Sequence, residues 1–188
     1  MNTLASLITP PPVSVTIGAE HVSFVAGSIG DPRIEPAYVS LDRQPGRDGQ
    51  VVAIGDRAKQ IRGRTASRIV SLRPFEHSRV SHPEAALVLL RHLFSSIDCT
   101  FKLLKPETTV VLPEEFEPED RTLLASILET AGAGKISSIP SGAAHLVGLG
   151  LAPETRSEWL VVDCGASATR GLLLDGRGAT VQRKILPG

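Results

Sequence analysis

The sequence predicts an α/β fold made of one complete strand-and-helix unit and the first three strands of a second. Three observations carry this. Strand and helix patterns follow one another as three strands, helix, strand, helix, strand, helix, and then three strands again. Two of the helices have clear start and stop signals and one apolar stripe each. The strand–turn–strand at 13–26 and that at 159–174 share a design: an apolar strand, a Gly-containing turn and an apolar return. With 188 residues, 41% of them hydrophobic, the chain can fill one domain, or one domain and part of another.

The elements follow in order. Val13 to Ile17 alternates apolar and polar residues, the pattern of a half-buried strand. Gly18-Ala19-Glu20 turns the chain, and His21 to Ala26 returns it. A third extended segment is Ala37 to Leu41, followed by a Gly/Pro/Asp loop over Arg43 to Gly49 and a short strand at Gln50 to Ile54. Gly55 to Arg62 predicts a short helix, and Arg68 to Leu72 a short apolar segment before Pro74. The first long helix runs from Pro83 to Ile97. Ser81 or His82 caps it, Pro83 suits its first turn, and Ala86, Leu90, Leu93, Phe94 and Ile97 share a face. Thr108 to Leu112 is a buried strand. Pro118 to Ala131 is the second long helix, with Glu117, Glu119 and Asp120 at its positive end and Gly132 as its stop. Its stripe is Leu123, Leu124, Ile127, Leu128 and Ala131. Lys135 to Ile139 is a strand and Ser141 to Leu149 a small-residue helix. Three strands close the chain: Trp159 to Asp163, Thr169 to Leu174 and Ala179 to Ile185.

Composition excludes several functions. Twenty basic and twenty acidic residues give zero formal charge, so no field collects nucleic acid or an anionic membrane. Aromatics at 4% supply no stacking set for bases. No apolar run approaches the ~20 residues of a membrane span. The start, MNTLASLITPPP, lacks a basic region and a long apolar core, and reads as a disordered tail over 1–12. Cys99 and Cys164 have no metal-type spacing and read as buried, reduced thiols. The chain is expected to be cytoplasmic.

The residues also resemble a family. "VVAIGDRAKQIRGRTASRIVSLRPFEHSRV" (51–80) resembles the segment of the bacterial actins MreB and Mbl in which V-A-x-G leads to A-K-x-x-x-G-R-T and then I-V-x-x-R-P. "LLRHLF" (89–94) is similar to the family's L-R-Y-F. "TVVLPEEFEPEDRTLLASILETAGAGKI" (109–136) resembles its strand, proline and E-R-R-x-x-x-x-x-A-x-x-A-G-A helix. "VGLGL" (147–151) resembles I-G-A-G-L, and "VVDCGASATRGLLL" (161–174) resembles V-V-D-I-G-G-G-T-T-E-V-A-V-I. These pieces are collinear from residue 13 to about 186. The resemblance implies an actin-like ATPase domain of the ribonuclease-H-like fold, with 13–155 as the first domain and 156–188 as a shortened start of the second.

It also implies a nucleotide site, with two Gly/Thr loops holding phosphates through backbone N–H groups and an aspartate heading each to handle Mg²⁺. In the second loop Asp163, Gly165, Ser167 and Thr169 are kept as cofactor-binding candidates, with Asp163 as the metal candidate. The glycine run has become Ala166-Ser167-Ala168, whose methyl groups restrict the approach of backbone to phosphate. Arg170 replaces an acidic residue, to assist phosphate or face solvent. In the first loop the family's D-L-G-T-A-N-T is Thr16 to Val22 here, and Gly18 alone matches. Glu20 puts a negative charge where polyphosphate is expected unless it points away. The family's hydrolytic E-P falls at Pro140 to Gly142, where no carboxylate stands. Glu114 and Glu115 read as solvated charge, His145 as a packed or surface residue, and Glu76-His77 is assigned no chemistry. No catalytic residue is assigned, and weak Mg-ATP is the cofactor left to consider.

The functional expectation is a shortened MreB/Mbl-like cytoskeletal protein of cell shape or cell-wall synthesis organisation. It would act through self-association, a full-length MreB-like filament or cell-wall synthesis proteins, at the inner face of the membrane and without ATP hydrolysis. The alternative is an active ATPase forming nucleotide-dependent filaments. Continuous patterning and clean helix ends argue against a decayed remnant. In the last three strands Leu160, Val162, Leu172, Leu174, Val181 and Ile185 need something to pack on: the first domain, a second copy or a partner.

Overall fold

The computed structural model describes residues 10–27, 31–43, 49–64, 67–97, 104–151 and 158–187. Most of the expected tail, the loop at 44–48, Cys99 and the expected domain boundary at 155/156 lie outside the described residues.

A five-stranded mixed sheet organises the first unit. Its strands are β1 (Val13–Ile17), β2 (His21–Ala26), β3 (Arg33–Pro36), β9 (Thr108–Leu112) and β10 (Ile136–Pro140), in the order β10-β9-β1-β2-β3. The β1–β2 and β2–β3 pairs are antiparallel, while β9 runs parallel to both β1 and β10. The period-two pattern of β1 does what it predicts: Val13, Val15 and Ile17 are buried, and the residues between them are exposed. Helix α2 (Pro83–Ser95) buries Ala85, Ala86, Leu89, Leu90, Leu93 and Phe94. Phe94 meets Phe24 of β2 edge to face at 5.4 Å between ring centres, fixing helix to sheet. Helix α3 (Pro118–Ala131) starts on a proline and ends where Gly132 takes a φ of +125°. Its buried stripe is Leu124, Ile127, Leu128 and Ala131, spaced i, i+3, i+4, i+7. Leu123, expected in the stripe, falls one step outside that spacing and is 38% exposed.

The structure corrects the third strand. The expected segment Ala37 to Leu41 does not extend the main sheet. β3, at Arg33–Pro36, does so, and β4 (Val39–Asp42) is instead the centre of a separate sheet between β5 (Gln50–Ile54) and β6 (Ile69–Leu72). β3 is a short edge strand of mixed polarity ending in proline, which hides it from apolar pattern reading. Helix α1 (Asp56–Ile61) packs beside that sheet, with Ala58 buried against Tyr38 and Ala53. A two-strand hairpin, β7 (Phe75–Glu76) and β8 (Arg79–Val80), precedes α2.

The last three strands form an antiparallel meander, β11 (Trp159–Cys164), β12 (Ala168–Leu174) and β13 (Thr180–Pro187). Helix α4 (Ser141–Gly148) is its support: Leu146 is buried with Leu172 and Leu174, and Trp159, Val161 and Leu151 pack around them. The pleat divides the expected apolar set. Leu172 and Leu174 face α4, whereas Leu160 and Val162 lie on the opposite face and are 72% and 61% exposed. No described helix is long and apolar enough to cross a membrane.

Candidate functional site

Strand ends and turns from both parts of the chain meet around a cleft of about 620 Å³. One wall is the β1–β2 turn from Thr16 to His21. The other is the β11–β12 turn from Asp163 to Ser167 with Arg170, and Ser78, Pro113, Phe116, Ser141 and His145 lie between. Of the expected site residues, Gly18, Asp163, Gly165 and Ser167 line this cleft together. Thr169 does not. It alternates with Ala168 and Arg170 along β12, and so points to the other side of the pleat.

The β1–β2 turn is closely wound: a Cβ at Gly18 would stand 2.7 Å from the His21 carbonyl oxygen. Glu20 points away from the cleft floor. Its carboxylate accepts from the Tyr38 hydroxyl at 2.9 Å and pairs with the Lys59 ammonium at 2.6 Å. Burial opposes ionisation of Glu20, but Lys59 and Tyr38 outweigh it and hold the carboxyl below its ordinary range. The charge expected to face a polyphosphate is thereby neutralised on the α1 side.

The opposite wall is built around Arg170. Its side chain is 7% exposed, and three of its nitrogens are engaged. Nε donates to Glu115 at 2.5 Å, Nη1 to Asp163 at 3.2 Å and Nη2 to the Ser78 hydroxyl at 2.9 Å. Ser78 in turn donates to Glu115 at 2.6 Å, closing a ring of side chains. Burial works against ionised Glu115, yet Ser78 and Arg170 together lower its pKa. Arg170 therefore neither faces solvent nor stands free for phosphate, and Glu115 is not a solvated charge. The Gly165 N–H donates to the Ala168 carbonyl at 2.9 Å, so it closes the turn rather than pointing into the cleft.

Glu114 has a different task. Its two carboxylate oxygens accept from the Gly142 N–H at 2.7 Å and from the Ser141 hydroxyl at 2.9 Å. A carboxylate from the β9 end thus satisfies an unpaired donor at the positive start of α4. Pro140 to Gly142 carries no carboxylate in sequence, but receives one in space. His145 is exposed on the cleft rim. Cys164, expected to be buried, is exposed, because β11 alternates and its even-numbered residues face outward.

Sequence reasoning missed Ser78. Its signal was available: the β7–β8 hairpin leaves only His77 and Ser78 for its turn. A two-residue turn of this kind needs positive φ at both positions, normally supplied by Asn or Gly. His77 and Ser78 adopt φ of 50° and 56°. Two non-glycine residues held there mark a position whose side chain has a use. Ser78 has one, since it joins Glu115 to Arg170.

A βββαβαβα-type unit with a mixed sheet, joined to a second hairpin across a cleft, defines the actin-like class. Two crystal structures of MreB5 of Spiroplasma citri, one bound to AMPPNP and one to ADP, superpose with TM-scores of 0.83 and 0.84 at 21% and 20% identity. Each covers 95% of this chain and 53% or 52% of the Spiroplasma chain. The profile of the family described as MreB/Mbl protein matches residues 13–185, and the chain belongs to that family. It is 23% identical over 157 residues to the cell shape-determining protein Mbl of Bacillus subtilis, covering 84% of this chain and 46% of Mbl. With the cell shape-determining protein MreB of Escherichia coli it shares 23% over 178 residues, covering 94% and 51%. The chain spans about half the length of these curated relatives.

Proposed function

We propose that this protein is an actin-like cytoskeletal component acting in cell shape or in the organisation of cell-wall synthesis, through association and not through ATP hydrolysis. Its division into a first domain (13–155) and the opening of a second (156–188) belongs to the same proposal. The names of the Bacillus and Escherichia relatives support the process. The single observation that supports the mode is the outward face of the meander. Leu160, Val162 and Leu186 share it, and Leu186 is 52% exposed. Apolar side chains clustered on one sheet face favour a partner. A second copy of this chain, or an MreB-like filament, is the occupant proposed. The same proposal has the protein in the cytoplasm, at the inner face of the membrane and alongside cell-wall synthesis proteins.

Sedimentation tests this. The protein is expected to self-associate or to pellet with MreB filaments. The double substitution Leu160→Asp and Val162→Asp, at exposed positions, is expected to cut association on the order of tenfold or more, given the burial lost. A strictly monomeric, fully folded protein that never co-sediments contradicts the reading.

The competing ATPase reading is favoured by one observation, that the related MreB5 has been seen with AMPPNP and with ADP. In that reading Gly18, Asp163, Gly165, Ser167 and Thr169 hold nucleotide and Asp163 its metal. The ionic network around Asp163 weighs against it.

A further inference from the structure

We propose that Arg170 is a built-in cation standing in the place of a metal, and that it ties the meander to the β7–β8 turn and the end of β9 without a divalent ion. The proposal deepens the non-hydrolysing reading of the cleft. Its test is separate from sedimentation, so either can fail alone.

Three elements converge on one guanidinium. Glu115 belongs to the turn after β9, Ser78 to the β7–β8 turn, and Asp163 to β11 of the meander. The first two are on the first unit, whereas Asp163 is Arg170's cross-strand neighbour in the meander, so the guanidinium reaches from its own sheet to the first unit and holds a carboxylate on each side. A planar guanidinium suits this task, because its fixed fork of donors reaches several acceptors at once and it stays charged when buried.

Magnesium fits poorly beside it. Mg²⁺ needs carboxylate oxygens, and room for several retained waters. Here Asp163 Oδ2 already accepts from Arg170, and a divalent ion on that carboxylate would lie against a fixed positive charge. Among the described residues, no group of three or more His, Cys, Asp or Glu side chains is gathered for a metal. Phosphate is disfavoured too. Glu115 and Asp163 against Arg170 leave two negative charges to one positive, so this cluster at the cleft keeps a formal charge of −1. Arg170 thus already supplies the one cation that both carboxylates share, while Glu115 Oε2 stays buried without a hydrogen-bond partner.

Hydrogen exchange on the full chain, with and without millimolar MgCl₂, tests this in the wild type and in Arg170→Met. In the wild type, amides of residues 159–174 are expected to exchange at the same rate with and without Mg²⁺. In Arg170→Met they are expected to exchange on the order of a hundredfold faster, because two partly buried carboxylates lose the one cation they share. The β1–β2 amides are expected to stay protected. Mg²⁺ is then expected to slow exchange in the variant alone, since the vacated position offers two carboxylates to a divalent ion. Three results would overturn the proposal: a Mg²⁺ response in the wild type, unchanged exchange in the variant, or a variant blind to Mg²⁺. Should Arg170→Met not fold, Asp163→Asn removes one arm. Its 159–174 amides are expected to exchange several-fold faster, on the order of a single weakened charged hydrogen bond. Unchanged exchange there overturns the proposal equally.

Discussion

Replacing Glu115 with alanine is expected to lower the unfolding free energy at neutral pH by about 3–5 kcal/mol, the cost of removing one partner from a buried ion pair. The figure is that large because Arg170 is left behind. Its guanidinium is almost fully buried, and only Asp163 and the Ser78 hydroxyl remain to it. Glu115→Gln keeps the shape and an acceptor, and is expected to cost less. The pH dependence has a definite sign. Burial disfavours ionised Glu115, but Ser78 and Arg170 outweigh it, so the folded pKa lies below the ordinary glutamate value of about 4.3. A group with a depressed folded pKa stabilises fully above its unfolded value and loses that contribution as pH falls through the folded one. The gap between wild type and Glu115→Ala in urea unfolding therefore narrows below about pH 4. A loss under about 1 kcal/mol at neutral pH, with no such narrowing, means the pair is solvated like a surface bridge.

Leu89→Ala is expected to cost about 3 kcal/mol, within the range for emptying a close-packed core site. Leu89 is fully buried on α2, in the core that also holds β1, β2 and α3 residues. The urea midpoint falls while the slope stays as in the wild type, because the surface exposed on unfolding barely changes. Leu160→Ala is the contrast. That side chain is exposed in the single chain, so its truncation leaves monomer stability within about 0.5 kcal/mol. If Leu160→Ala cost as much as Leu89→Ala, the outward face would already be covered in solution.

Much of the fold could be read from the sequence because its signals are local. β1 alternates strictly, α2 and α3 open on prolines, and Gly132 stops α3. The collinear resemblance to MreB and Mbl agrees with the family match and with the solved structures. β3 escaped notice because an edge strand needs no apolar face. The site was legible in part. The resemblance puts Gly18, Asp163, Gly165, Ser167 and Thr169 on one cleft, and all but Thr169 line it. What each does there depends on partners far away in sequence. Arg170 lies 55 residues from Glu115 and 92 from Ser78. No period of two or 3.6 connects such positions. Glu114 shows the same limit: 28 residues separate it from the helix start it caps. A charge beside a strand end looks solvated until the fold brings its counter-charge.

Calorimetric titration of the purified chain with Mg-ATP, followed by a phosphate-release assay, tests the central claim most directly. A cleft where Arg170 already engages Asp163 and Glu115, with a residual negative charge, is expected to give no metal-dependent binding heat and no phosphate release. Tight Mg-ATP binding, with phosphate release abolished by Asp163→Ala, would contradict the account and make this chain an ATPase.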